Sequence, residues 1–397
     1  MKKILPIMLI LSLIFITACS SQATKSVSVM NFQRGSLKTL PAYNADKIDP
    51  WQVDLRGYDL RSLNLKDRLD DLLYADFDTN TRWPEDLPEG FNPEEIMDLG
   101  KNPGLGLKSI HSKGITGKGV GIAIIDQTLL TEHIEYKDRL KSYEAINNKG
   151  NTAEMHGAAV SSIAVGKTVG VAPEANLYYI ALTPGEMKQG SFKHDFTWMA
   201  KAVDRVIEMN KTLPANERIR VISISLGWSP EKTGYKEINE AIKRAKAENI
   251  FVVSCSLSET YGLKFDGLGR GGFSDPESKN SYLPGSWWAK GYFDGKRELA
   301  VDTLLVPMDS RTTASPTGKD DYAFYRSGGW SWSVPYIAGL YVLACQVKPD
   351  IDPETFWNSA LSTGDVIQIN HDGESHSLGK VINPVKLFES FKAATAK

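Results

Sequence analysis

The stretch GVGIAIID, Gly119 to Asp126, is an unbroken apolar run that ends on an acid. Its length, glycine boundary and isoleucine content read as a strand buried on both faces. Three more runs share the character: ANLYYIAL (175–182), IRVISISLG (219–227) and NIFVVSCS (249–256). Helical patterns lie between them, over 156–165, 195–210 and 236–248, and a last one fits 333–347. Apolar strands alternating with helices predict an α/β fold whose mostly parallel sheet is covered by helices on both faces. In such sheets chemistry gathers at the carboxyl ends of the strands, where Asp126 and Ser225 stand.

Three short segments belong together. IAIIDQTLLTEH sets Asp126 at a strand end, MHGAAVSSIAVG sets His156 at the head of a helix, and GGWSWSVPYIAG sets two serines at the head of another. Each has a plain reading by itself: a turn acid, a satisfied helix start, and Ser333 as an N-cap with Pro335 in the first turn. Taken jointly they run Asp, His, Ser, one of the chain orders of the Ser-His-Asp triad.

The flanking residues match as well, and here the sequence resembles the subtilisin-like serine proteases, the subtilases. GVGIAIIDQ resembles the family's Asp motif, with His133 where the family often has histidine. HGAAVSSIAVG with GVAPEANLYYI resembles its His motif and the following strand. VISISLG resembles its cleft strand, and GWSWSVPYIAG its Gly-Thr-Ser-Met-Ala-x-Pro signature. The resemblance covers roughly 100–350. It implies a subtilisin-like three-layer fold and a triad of Asp126, His156 and Ser331, the register selecting Ser331 over Ser333. Ser331 is then the nucleophile, His156 the base, and Asp126 the group that orients the imidazole. Ser225, Leu226 and Gly227 would pair with an extended peptide substrate, and the residues around Lys188 to Phe192 would supply the opposite edge.

The chain departs from the pattern in three places. The family usually has an asparagine that donates to the oxyanion after the strand equivalent to IFVVSCS; by register Ser258 falls there, either as a substitute donor or as a loop serine. Asn280 is another source of a donor. The segment before GVAP is short, and a loop that holds calcium in several family members is absent; the acidic GKDD turn (318–321) reads as solvated. Trp330 and Trp332 flank the nucleophile, walling the cleft or, as we favour, packing beneath it. No cofactor or metal is implied.

The N-terminus has a character of its own. MKK precedes the apolar run ILPIMLILSLIFI (Ile4 to Ile16), and ITAC ends on Cys19. This reads as a secretory signal. Its end resembles a bacterial lipobox, which makes Cys19 a lipidation site and the mature protein extracytoplasmic and membrane-anchored. An ordinary signal peptide with an incidental cysteine is the alternative. Residues 19–50 read as a tether, 51–100 as an N-terminal extension, 101–350 as the catalytic domain, and 351–397 as its C-terminal extension. Within the extension DLRGY, DLRSL and NLKDR place Leu55, Leu60 and Leu65 at a five-residue beat. This resembles pentapeptide repeats, but three units are too few for a solenoid, so an irregular extension packed on the main domain is expected. A short helix is expected from Pro93.

The chain has 397 residues, 42% of them hydrophobic, and a net charge of −2. Such a balance gives no ground for a nucleic-acid partner. Cys255 and Cys345 sit in apolar runs and read as buried thiols. His371 and His376 read as a surface loop, with no third ligand nearby. GLGRGG (267–272) matches a dinucleotide pattern by letters only, and no lipase-type Gly-x-Ser-x-Gly elbow surrounds Ser331. The expected function is a serine endopeptidase acting on peptide or protein substrates. The alternatives are a weak or inactive peptide-binding relative, and a serine esterase.

Overall fold

The computed structural model describes residues 27–47 and 49–395. The signal segment and Cys19 lie outside the described residues, and among the described residues no helix is long and apolar enough to cross a membrane.

Five strands build the central sheet: β1 (Gly121–Asp126), β2 (Leu140–Ile146), β3 (Asn176–Leu182), β4 (Ile219–Ile224) and β5 (Phe251–Ser254). Their order is β5-β4-β1-β3-β2 and every pairing is parallel. The alternation of strand side chains explains the continuous apolar runs. Ile122 and Ile124 join one core with helices α1 (Met155–Val165) and α4 (Trp330–Val347), whereas Ala123 and Ile125 join the other with α2 (Thr197–Thr212) and α3 (Tyr235–Ala247). Helices thus cover both faces, and the expected three-layer fold is the one observed. The edge strand β2 was not expected, because its half-exposed sequence LKSYEAI lacks a continuous apolar run.

The two helices of the α1/α4 layer approach closely. A Cβ at Gly339 would lie 2.7 Å from Val171 Cβ and 3.2 Å from the Ala164 carbonyl, so only glycine admits the contact.

A second five-stranded sheet runs 282–284, 264–270, 303–307, 374–381, 365–371. The C-terminal strands therefore share a sheet with the central part of the chain, and Trp357, Phe388 and Phe391 enter the same core. The stretch around His371 and His376 forms a strand hairpin rather than a loop, with His371 stacked on Phe293 at 3.7 Å. Gly267 to Arg270 of the GLGRGG stretch also lie inside a strand.

The expected tether, 19–50, ends sooner than its composition suggests. Ser28 donates its N–H to the Asn151 carbonyl (2.7 Å) and accepts from Ala153 N–H (2.8 Å). Leu40 is buried and Tyr43 stacks on Tyr74 at 3.6 Å. The extension is also more regular than expected. Tyr58, Leu63 and Arg68 donate their N–H groups to the carbonyls of Leu55, Leu60 and Leu65, one turn every five residues. Asp54, Asp59 and Asn64 each accept the N–H two residues on, the local bond typical of Asx turns. Leu55, Leu60 and Leu65 form a buried row closed by Val53, Phe77 and Phe91. Three units suffice because Phe77 and Phe91 from later in the extension, with Phe324 from the body, complete their apolar cluster.

The extension also contributes strands to the sheet just ahead of Ser331. A four-stranded sheet runs 311–314, 322–325, 75–78, 53–54, with Phe77 facing Phe324 in register. The helix expected at Pro93 spans Pro93–Lys101, with Asn92 accepting from the Glu94 and Glu95 N–H groups.

Candidate active site

Asp126 ends β1, and the chain turns at Gln127 and Thr128 into a loop that meets the start of α1. Glu154 N–H donates to the Thr128 carbonyl (2.9 Å), and Glu154 Oε2 accepts from Thr128 N–H (3.1 Å). This brace delivers His156, in the first turn of α1, to the strand end. His156 Nδ1 donates to Asp126 Oδ1 at 2.7 Å. Gly157 makes the approach possible: a Cβ there would lie 2.7 Å from the Gln127 carbonyl and would strike the Tyr179 hydroxyl.

Burial pulls the His156 imidazole down, but the charge of Asp126 and its hydrogen bond outweigh that, and the net value stands above the ordinary 6.5. The carboxylate therefore favours the imidazolium that proton abstraction would create.

Ser331 sits in the first turn of α4. The helix begins at Trp330, three residues earlier than expected, with Gly329 rather than Ser333 at the cap. Ser333 is fully buried and its hydroxyl has no partner, whereas Ser331 is half-buried and lines the cleft. Pro335 falls in the second turn and has no N–H for the Ser331 carbonyl four residues back. That carbonyl accepts from Ser225 Oγ instead, at 2.9 Å. Ser331 Oγ in turn donates to the Ser225 carbonyl, at 3.2 Å.

The turn before Ser331 is clamped by groups that sequence reasoning missed. Asp309, buried between two strands, accepts from Gly328 N–H (2.7 Å) and Ser286 N–H (2.8 Å). Trp287 Nε1 donates to the Gly328 carbonyl (3.0 Å) and Trp330 Nε1 to Asp266 (3.0 Å). The only hint was an acid inside each of two otherwise apolar stretches. The two tryptophans divide the expected roles. Trp332 is buried, with its ring edge-on to His156 at 5.7 Å, and Trp330 stays at the rim, 42% exposed.

Asp126, His156 and Ser331 line one cleft of about 450 Å³ together with Ser225, Leu226 and Phe192. Gly227 is exposed beside them. The opposite edge is a hairpin, Gly185–Lys188 with Ser191–His194, from which Phe192 and His194 reach the cleft. Gln127 also lines it, and its Oε1 accepts from His156 N–H at 3.3 Å.

Other singled-out residues lie apart. Ser258 is exposed on the short helix Leu257–Tyr261 and does not line the cleft. The chain turns helical there instead of presenting the side chain inward. Asn280 is exposed in the turn Lys279–Ser281. His133 is buried in the body of the fold, donating from Nε2 to the Asp321 carbonyl at 2.8 Å. The Cys255 thiol is pushed up to about 12 by burial, with the Asp126 charge adding, and stays protonated. Asp321 of the GKDD turn accepts from Asn80 and Thr317. Among the described residues no group of three or more His, Cys, Asp or Glu is placed to hold a metal ion.

Comparison with known proteins defines the class. Residues 117–289 match the model of the Subtilase family. The chain is 26% identical over 278 residues to the "Major intracellular serine protease" of Bacillus subtilis (strain 168), covering 63% of this chain and 77% of that protein. It is also 26% identical over 293 residues to the "Subtilisin-like protease PopC" of Myxococcus xanthus (strain DK1622), covering 67% of this chain and 58% of that one. Among solved structures, the prenylagaramide maturation protease PagA shares the fold, with a TM-score of 0.50 and 15% identity over 72% of this chain and 98% of that chain. The family match and the relatives named as serine proteases support a serine endopeptidase.

Proposed function

We propose that this protein cleaves peptide bonds through a triad of Asp126, His156 and Ser331 and an acyl-enzyme, while held at the outer face of a membrane by a lipid on Cys19. The observation that carries the triad is the 2.7 Å bond from His156 to Asp126 in the same cleft as the Ser331 hydroxyl. In the reaction Ser331 Oγ turns from the Ser225 carbonyl toward His156 and attacks the scissile carbonyl as the imidazole takes its proton. His156 then gives that proton to the leaving amine. Water, activated by the same imidazole, releases the acid product and restores the serine.

The oxyanion meets the positive end of α4, where the Ser331 N–H is one of the groups that a helix start leaves without an intrahelical partner. Ser258 is not assigned a role in this reading. A missing side-chain donor costs on the order of 10²–10³ in turnover, so a slow enzyme is expected. The same absence favours the second reading, a subtilase-fold peptide binder with little or no turnover.

The anchor is supported by sequence: the basic start, the Ile4–Ile16 run and the residues before Cys19. A fluorophosphonate probe tests the catalytic proposal. It should label the folded protein and fail on Ser331→Ala; a folded wild type that takes no label is the binding protein. Detergent phase partitioning, with Cys19→Ala as control, tests the anchor.

A further inference from the structure

The point where the N-terminal segment joins the folded body is the rim of the cleft itself. Ser28 lies alongside Asn151–Ala153 in a parallel bridge, immediately before Glu154, which lines the cleft, and His156. The same loop reaches the other cleft edge. Asn147 Nδ2 donates to the Thr183 carbonyl (2.9 Å) and the Gly185 carbonyl (3.1 Å), the latter at the base of the exposed hairpin. Asn148 Nδ2 donates to Thr128 Oγ1 (3.0 Å), two residues beyond Asp126. One loop, 147–153, therefore connects the incoming chain, the catalytic strand end and the hairpin.

The length of the tether limits how far the cleft stands from the anchor. Cys19 to Ser28 is nine residue steps, which span at most about 32 Å even when fully extended. From Thr152 to His156 is four more, at most about 14 Å. With the roughly 5 Å between the bridged residues, a lipid on Cys19 thus keeps the imidazole within about 50 Å of the bilayer. A globular body of this length is itself about 50 Å across, so the same tether entering at the far pole would let the cleft stand up to about 80 Å away. The hairpin beside the entry point presents Met187 (66% exposed) and Phe192 (41% exposed) with Lys193, while Lys188 pairs with Glu186 of the same hairpin at 2.6 Å. Apolar and cationic side chains of this kind suit the headgroup boundary.

We infer that the cleft works against the membrane surface, and that its substrates are extended juxtamembrane segments of polypeptides anchored in the same bilayer. This rests on the lipid-anchored protease reading above. The cleft takes an extended chain beside Ser225–Gly227, and the tether admits such chains where they leave the lipid. Freely diffusing proteins gain nothing from that placement.

The test uses the lipidated full-length protein in vesicles of phosphatidylcholine with phosphatidylglycerol. The substrate is an unstructured casein segment carried by a transmembrane helix on a proline-rich stalk. Stalks of about 5 or about 40 residues hold the segment roughly 15 or 125 Å from the bilayer. The same segment free in solution is the third substrate. The short-stalk segment should be cut at least tenfold faster than the long-stalk one. Insertion of about 40 Gly/Ser residues between Ser26 and Val27 should erase the difference while leaving cleavage of the free segment unchanged. Phase partitioning and fluorophosphonate labelling are read on the same preparation. Loss of partitioning overturns the anchor, and partitioning without labelling overturns the protease; either takes this inference with it. Partitioning and labelling with equal rates on both stalks overturns the inference alone.

Discussion

Ser225 and Ser331 hold each other by two hydrogen bonds in opposite directions. The Ser225 hydroxyl donates to the Ser331 carbonyl, and the Ser331 hydroxyl donates to the Ser225 carbonyl. The first bond exists because Pro335 cannot satisfy that carbonyl. Ser225→Ala leaves it without a donor in a nearly closed site, at a cost of about 1–3 kcal/mol. Turnover should fall about tenfold as the nucleophile's turn loosens. Thermal melting and steady-state kinetics on a soluble peptide check both. An unchanged melting point and rate would remove Ser225 from the positioning machinery.

Asp126→Asn should reduce turnover about 10⁴-fold with the fold intact, since the imidazole loses its oriented acceptor and its counter-charge. Fluorophosphonate labelling rates measure the loss directly.

The His156 value, raised above 6.5 by Asp126 against the pull of burial, gives a pH profile with a definite sign. The base must be neutral, so activity should climb with pH on a limb centred above 6.5. The stabilising contribution of the imidazolium runs the other way. It is complete below the unfolded value near 6.5 and is lost as pH rises through the raised folded value. Rate and stability profiles measured on one preparation should cross in that interval.

Gly157→Ala should spare folding far more than catalysis. The added methyl meets the Gln127 carbonyl and the Tyr179 hydroxyl, and the first turn of α1 must retreat from Asp126 to admit it. A shift of about 1 Å costs on the order of 10² in rate. Circular dichroism beside kinetics separates the two effects.

Asp76 offers a stability test away from the cleft. Burial pushes its carboxyl up to about 8, despite the nearby Arg56 and Arg326. The folded protein then binds a proton that the unfolded chain has lost, so stability should fall as pH rises from about 4 to about 8. Asp76→Asn keeps an oxygen for the Arg326 N–H, which now donates to Oδ1 at 2.7 Å. It should raise the melting midpoint at pH 7 by about 2–5 °C and flatten the slope. No gain at pH 7 would mean the site is open to water.

The central sheet was legible because its strands are buried on both faces and leave continuous apolar runs, as in Gly121–Asp126 and Asn176–Leu182. Asp126 and His156 were legible because each follows such a run or heads a helix of small residues. Other features depend on contacts that no local pattern records. The start of α4 at Trp330 is set by Asp309, Asp266 and Trp287 holding the preceding turn, which overrides the capping preference of Ser333. The regularity of the Leu55, Leu60, Leu65 row depends on Phe77 and Phe91 covering it from further along the chain. Ser258 was placed by register alone, and an ensuing helical turn carries it to the surface. The edge strand β2 alternates in burial too weakly to stand out.

The pairing of residues 75–78 with 322–325 joins two parts of the polymer that are made far apart in time. The strand just ahead of Ser331 gains its outer neighbour from the first quarter of the chain, and until more than three hundred residues have been assembled that neighbour has only residues 53–54 to pair with, its other edge left open. Closure of this sheet is therefore a late, long-range event. During synthesis the early strand waits with one edge open, and Ser331 arrives only just after the strand that fills it, so a growing polypeptide is poorly equipped to digest itself or its neighbours before the molecule is nearly complete.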